Sequence, residues 1–208
     1  MCDSQKKIAL IGGGGHALSV AAAMSQQPDG YVDMLSNDAM PFPWLGDDSH
    51  FIDSCSPEHW QILITVVSGR DCSLGLRRRL IQLYQNYDSP AVKAPTAWIA
   101  PSASIEKGVA VLHHAVVNVN SRVGAHSVIN TGAIVEHDCR IGSNVFIGPG
   151  AVICGGVNIG DDVYIGAGAV IRPGISICDG ALISLRASVF RNITTPGTYF
   201  GTPAKRIK

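Results

Sequence analysis

Charge is scarce in this 208-residue chain, and what there is cancels. Asp, Glu, Lys and Arg make up 15% of it, with 16 residues of each sign. A balanced chain of this kind offers no broad cationic surface for nucleic acid or an anionic membrane. Low charge beside 46% apolar residues also excludes a disordered tail and a charge-laced coiled coil. Aromatics are few, at 6%. No segment approaches the roughly 18 uninterrupted apolar residues of a membrane span. The N-terminal Met-Cys-Asp-Ser-Gln-Lys-Lys lacks the apolar stretch of a signal peptide, so a cytoplasmic location is expected. Six cysteines, at 2, 55, 72, 139, 154 and 178, include no C-x-x-C pair. They read as free thiols rather than a disulfide framework or a structural zinc site. The two parts of the chain differ in charge. Residues 1–93 hold seven basic and ten acidic groups, net −3, and residues 94–208 hold nine and six, net +3.

Periodicity is what the chain has in abundance. From Ile99 to Val189 every sixth residue is Ile or Val, sixteen positions of sixteen. Four places after each stands a small or β-branched residue, among them Ala103, Ala115, Ser121, Ala133, Cys139 and Ala169. A period of six fits neither the helical 3.6 nor a simple alternating strand. It fits short flat strands joined by corners, with Ile and Val pointing into a triangular prism. The repeat runs without an insertion, and at three hexapeptides per coil it makes about five coils, roughly 25 Å tall at the strand spacing.

Residues 1–93 read as a small parallel α/β sheet. Ile8-Ala9-Leu10-Ile11 is a buried strand, followed by four glycines at 12–15 and a helix from His16 to Met24. A second strand is expected at 31–33, a third at 62–67 and a second helix at 72–87, with loops over 34–60. Arg77, Arg78 and Arg79 fall between the apolar positions of that helix. The glycine loop can be a plain tight turn. Its backbone N–H groups and the helix N-terminus behind it also suit phosphate. Gly12, Gly14 and Ala17 meet the pattern G-x-G-x-x-A, and Asp33 follows at the distance of a ribose-binding acid. Ninety-three residues suit one mononucleotide half better than a complete NAD site.

His137, in Val135-Glu136-His137-Asp138-Cys139, falls at a corner with an outward side chain. A lone exposed histidine is usually just solvated. This one has acidic neighbours, and Gly155 lies eighteen residues on, directly above it in the next coil. A glycine there leaves room beside the imidazole and offers an open N–H, which is what acyl transfer needs: a base beside an oxyanion donor. Cys139 belongs to the inward class and reads as core. His113, His114 and His126 fall at corners and read as surface residues.

Hexapeptide periodicity resembles the hexapeptide-repeat acyltransferases, whose fold is the left-handed parallel β-helix. The combination Gly-Gly-Gly-Gly-His at 12–16, Val-Asp at 32–33, Asn130-Thr131-Gly132-Ala133 leading to Glu136-His137-Asp138-Cys139, and Gly201-Thr202-Pro203-Ala204-Lys205 narrows the likeness. It is similar to the bacterial acetyltransferases of nucleotide-linked amino sugars and the sialic acid O-acetyltransferases. The resemblance implies an acetyl-CoA-dependent N-acetyltransferase without a metal, acting on a nucleotide-linked amino sugar for lipopolysaccharide O-antigen assembly, with sialic acid O-acetylation as the alternative. UDP, dTDP and GDP remain open as carriers. It implies a nucleotide-sugar-binding α/β domain (Rossmann-like) at 1–93, and an acetyl-CoA domain at 94–208 formed by the β-helix and a C-terminal tail. It implies a homotrimer as well. Gly14, Gly15, His16, Asp33, Gly69 and Asn118 would contact the nucleotide-sugar. His137 would be the base with Asp138 supporting it, and Phe146, Gly155, Ala167, Leu185 and Lys205 would meet the coenzyme. Phe146 stands where several members have a histidine, and Ser184-Leu185-Arg186-Ala187 replaces their usual Gly-rich turn.

Overall fold

A computed structural model describes residues 6–67 and 74–208. β1 (Lys7–Ile11) leads through the glycine loop into α1 (Gly15–Ala23), then β2 (Gly30–Val32), α2 (Asp48–Ser54), β3 (Trp60–Ile64) and α3 (Gly75–Leu83). The three strands are parallel in the order β2-β1-β3, one mononucleotide-type half sheet. α2 lies inside the stretch expected to be loop. It buries only Phe51, too little to show a periodic stripe. Its N-cap, Asp47, accepts the His50 N–H at 2.8 Å, the usual signature of a helix start. The expected start of α3 at Cys72 lies outside the described residues.

From Val92 the chain winds as a three-sided parallel β-helix built from two-residue strands. Its first strand, Val92–Lys93, already pairs with Ala110–Val111. In the strands from Trp98–Ile99 to Ser188–Val189 the second residue, Ile or Val, points into the prism and the first points out of it, and those from Ala110–Val111 to Ser188–Val189 bury that second residue. The interior is a column of Val111, Val117, Ile129, Ile147, Ile153, Ile165 and their neighbours, essentially without exposure. Each such side chain contributes about 1.5–3 kcal/mol on burial. Two serines enter this column and are satisfied there. Ser121 Oγ donates to the Glu136 carbonyl at 2.6 Å and accepts the Cys139 N–H at 3.0 Å.

Outward residues give each face its character. The docking face presents Ala110, Val128, Phe146, Tyr164 and Leu182. Ala110, Val128 and Phe146 pack, together with Leu112, against Ile8, Leu10, Ala17, Val20 and Tyr31 of the first segment. The apolar face presents Trp98, Val116, Ile134, Val152 and Val170. The polar face presents Ser104, Arg122, Arg140, Asn158 and Ser176. Corners 118–121, 136–139, 154–157 and 172–175 form the edge between the apolar and polar faces, called here the open edge. Corners 124–127, 142–145 and 160–163 form the seam edge, between the polar and docking faces. The third edge joins docking and apolar faces. A C-terminal hairpin, Thr198–Phe200 with Lys205–Arg206, extends the docking sheet at the end of the prism.

Candidate active site

The glycine loop is shaped by its neighbours. Gly12 has φ +111, and a Cβ there would lie 2.7 Å from Val66 Cγ2, so only glycine fits. Asp33 Oδ2 accepts the Gly13 N–H and Oδ1 accepts the Met34 N–H, both at 2.8 Å. Asn37 Nδ2 donates to the Gly13 carbonyl at 2.9 Å. Asp33 thus anchors the loop through Oδ2, while Oδ1 is turned onto its own next residue. Beyond it Gly14 and Gly15 are exposed with open space around them, and Gly14 is the N-cap of α1, with no side-chain cap. A helix start without a side-chain cap suits an anion such as phosphate.

His16 follows on α1 with its Nε2 buried and unpartnered and its ring edge-on to Phe146, centroids 6.3 Å apart. Burial, with the nearby Arg77 charge second, pushes its pKa down to about 4, so the imidazole is neutral at pH 7. Phe146 is 5% exposed and stacks on Tyr164, centroids 5.0 Å apart. It packs between α1 and the docking face.

At the seam edge lies Arg77, one of the three arginines set between the apolar positions of α3, and it is 1% exposed. It donates to the carbonyls of Ile64 at 2.7 Å, Val66 at 2.8 Å and His126 at 2.5 Å, tying the end of β3 to the prism. Burial lowers its pKa to about 10. His126 is correspondingly not a plain surface residue: burial, then Arg77 and Lys107, push it down to about 4. His113, on the third edge, also meets the first segment, its ring bridging Thr96 Oγ1 at 2.8 Å and the Ala22 carbonyl at 3.2 Å.

On the open edge His137 Nδ1 lies 2.9 Å from Asp138 Oδ2. A carboxylate only accepts, so this bond puts the proton on Nδ1 and leaves Nε2 as an acceptor. The His137 bond, and then one from Asn120, hold the Asp138 carboxyl below its ordinary range. Gly155 lies against the ring: a Cβ there would sit 2.5 Å from both His137 Cε1 and Nε2. At equivalent corners the N–H groups of Val119, Thr131, Ser143 and Asp161 are taken by side-chain oxygens. No acceptor among the described residues takes the Gly155 N–H. Asn118 lies one coil before, donating to Glu136 Oε2 at 2.9 Å. Burial pushes the Cys139 and Cys154 thiols up, so neither is a ready nucleophile.

The expected coenzyme residues are not gathered in one chain. Gly155 is on the open edge, and Ala167 and Leu185 are exposed on the third edge. Lys205 lines a cavity of about 570 Å³ at the end of the prism, with Arg191, Tyr199 and Pro203. Gly69 lies outside the described residues. No cluster of three or more His, Cys, Asp or Glu able to hold a metal occurs among the described residues. No helix among them is long and apolar enough to cross a membrane. Sequence reasoning missed Asn120 and Arg77. An eighteen-residue step back from Asp138 would have found the first. Nothing in the run of three arginines singles out the second.

Residues 120–155 match the family Bacterial transferase hexapeptide (six repeats), and residues 156–184 match Hexapeptide repeat of succinyl-transferase. The acetyltransferase domain of PglB from Neisseria gonorrhoeae is 31% identical with a TM-score of 0.89, the match covering 98% of this chain and 100% of that one. In complex with acetyl coenzyme A the same domain matches at 31% identity and a TM-score of 0.86, over 97% and 99% of the two chains. PerB from Caulobacter crescentus, in complex with CoA and GDP-perosamine, is 28% identical with a TM-score of 0.87 over 97% of each chain. No curated protein matches. A small parallel sheet followed by a left-handed parallel β-helix is therefore the fold, and it is that of an acyl-CoA-dependent acetyltransferase. The chain belongs to the hexapeptide-repeat acetyltransferases of the sugar N-acetyltransferase group.

Proposed function

We propose that the protein transfers the acetyl group of acetyl-CoA to the amine of a nucleotide-linked 4-amino-4,6-dideoxy sugar, in the cytoplasm, for assembly of a surface glycan such as O-antigen. The observation that carries this is the open-edge trio, with His137 Nδ1 held at 2.9 Å by Asp138 and Gly155 leaving room and a free N–H beside the ring. PerB, with CoA and GDP-perosamine, and the PglB domain, with acetyl coenzyme A, support the two substrates.

In this reading the sugar amine attacks the thioester carbonyl directly. His137 Nε2 takes the amine proton while Asp138 stabilises the imidazolium. The Gly155 N–H holds the developing oxyanion. The C–N bond forms, the C–S bond breaks, and the CoA thiolate leaves with the proton His137 took up. The glycine loop at Gly14 and Gly15 holds the diphosphate, with Asp33 fixing the loop.

A single chain does not complete this site. The first segment covers the docking face, and the open edge is the corner opposite that face in a triangular cross-section. Along the apolar face Trp98 is 51% and Val170 41% exposed, flanking Val116, Ile134 and Val152 in an uncovered ladder. Such a face calls for a second copy, and three prisms about a threefold axis close the set. Each open edge then serves the acceptor held by a neighbour, with Gly155 of one copy and Ala167 and Leu185 of the next lining the coenzyme. Light scattering should give three times the 21.9 kDa chain mass; a monomer at working concentration contradicts it. The deciding assay follows thiol release from acetyl-CoA against UDP-, dTDP- and GDP-linked amino sugars and sialic acid. Turnover with a nucleotide-linked amino sugar is expected, and turnover with sialic acid alone overturns the reading.

A further inference from the structure

Two edges of the prism carry the same side-chain stack. On the seam edge Asn144 Nδ2 donates to Asp162 Oδ1 of the next coil at 2.7 Å, and Asp162 Oδ2 takes Arg78 at 2.7 Å. On the open edge Asn120 Nδ2 donates to Asp138 Oδ1 at 3.2 Å, and Asp138 Oδ2 takes His137 at 2.9 Å. All four stacked residues have left-handed backbones, with φ of 59° and 58° on the open edge and 52° and 58° on the seam edge. That backbone accounts for Asn and Asp as residue types. It does not account for their pairing, since Gly132, Gly150 and Gly168 meet the same demand on the third edge with no side chain.

We infer that Asn120 is a positioning residue for the acetyl transfer: it holds one oxygen of Asp138 so that the other faces His137 Nδ1. The inference rests on the reading of His137 as base. Asp138 is 58% exposed, and water competes for both oxygens of a carboxylate free to rotate. One fixed oxygen removes that freedom, and with it the alternative tautomer of His137. Asn120 is itself held from below, its N–H donating to Ser102 Oγ at 3.1 Å. The charged groups around His137 are Glu136 and Asp138 on its own corner. Corners of the coils on either side bring Asn118, Asn120, Cys154 and Gly155, none of them charged, and Glu136 is already engaged by Asn118. Asp138 is therefore the group through which Asn120 acts.

Asn120→Gly keeps the left-handed backbone and deletes the amide. Asn120→Asp keeps the shape and replaces the donor by a second carboxylate. Each is measured by the pH profile of kcat/KM and by ¹⁵N NMR of the His137 ring. Asn120→Gly is expected to lower kcat roughly two- to tenfold, the worth of one hydrogen bond, with KM for both substrates unchanged. Its ring signals should show the Nδ1–H tautomer giving way, and the acid limb should move to lower pH as the imidazolium loses its oriented partner. Asn120→Asp should move that limb to higher pH. In an Asp138→Ala background Asn120→Gly should add nothing. A wild-type tautomer and profile in Asn120→Gly, or an equal loss in the Asp138→Ala background, overturns the inference. If His137→Ala keeps its turnover while Asn120→Gly still changes the His137 tautomer, the base assignment falls and takes the role in acetyl transfer with it, although Asn120 still orients Asp138.

Discussion

The seam edge and the open edge carry the same asparagine-over-aspartate stack, and they end differently. On the seam edge Asn144 is buried and Asp162 meets Arg78, a cation from α3 of the same chain. On the open edge the stack ends on His137 and Asp138, 56% and 58% exposed, with no cation of its own chain among the described residues. Corner chemistry is thus common to both, and what lies opposite decides its use. Where the first segment reaches the prism, the carboxylate holds the segments together. Where it does not, the carboxylate is left for a histidine that has a partner on one nitrogen only.

The largest effect that would break this contrast is expected at His137. His137→Ala should lower kcat by about 10²–10⁴, while calorimetry finds nucleotide-sugar affinity unchanged. Asp138→Ala should cost less, because the proposed base survives. Turnover near wild type in His137→Ala would make the open edge as structural as the seam.

Gly155→Ala comes next. The added Cβ would sit 2.5 Å from His137 Cε1 and Nε2, so the ring must move. A misplacement of about 1 Å can cost about 10²-fold, and kcat should fall by that order with the melting temperature little changed. Unchanged kcat would show that the ring does not work against Gly155.

At the seam the expected effect is on stability and pH. His16 and His126 have pKa values of about 4 in the folded protein, against about 6.5 when free. Between these values the unfolded chain binds more protons than the folded one, so stability falls as pH drops from about 6.5 to about 4. Denaturant midpoints across that range should show it, with a shallower slope in His126→Gln. A flat profile would mean that neither ring is buried as neutral imidazole. The smallest effect is that of Arg78→Ala, whose pair with Asp162 is partly exposed. It should cost about 1 kcal/mol or less in thermal unfolding and leave kcat alone.

The prism was legible because its period is enforced by geometry: each coil returns an Ile or Val to the same interior wall, so no position can drift. The open-edge trio followed from the same arithmetic, since His137 and Gly155 are eighteen residues apart. The difference between the faces also has an eighteen-residue period. It becomes readable only when every third hexapeptide is aligned, as in Trp98, Val116, Ile134, Val152 and Val170. The seam was not legible. Arg77 is buried because three carbonyls from two segments converge on it, and neither its neighbours in sequence nor its helix marks that. Phe146 is likewise indistinguishable in sequence from an exposed outward residue until α1 is seen packed over its face. α2 escaped because one buried side chain makes no pattern.

The central claim is that the open edge of one copy serves the acceptor held by another, and mixed assemblies test it most directly. His137→Ala lacks the proposed base. Asp33→Ala frees the glycine loop from its anchor and should weaken nucleotide-sugar binding. Dissociated and reassembled together, with mixing verified by mass spectrometry, the two impaired proteins should recover acetyl transfer, because some interfaces pair an intact His137 with an intact loop. Verified mixed oligomers that stay no more active than the two parents measured apart would contradict a site shared between copies.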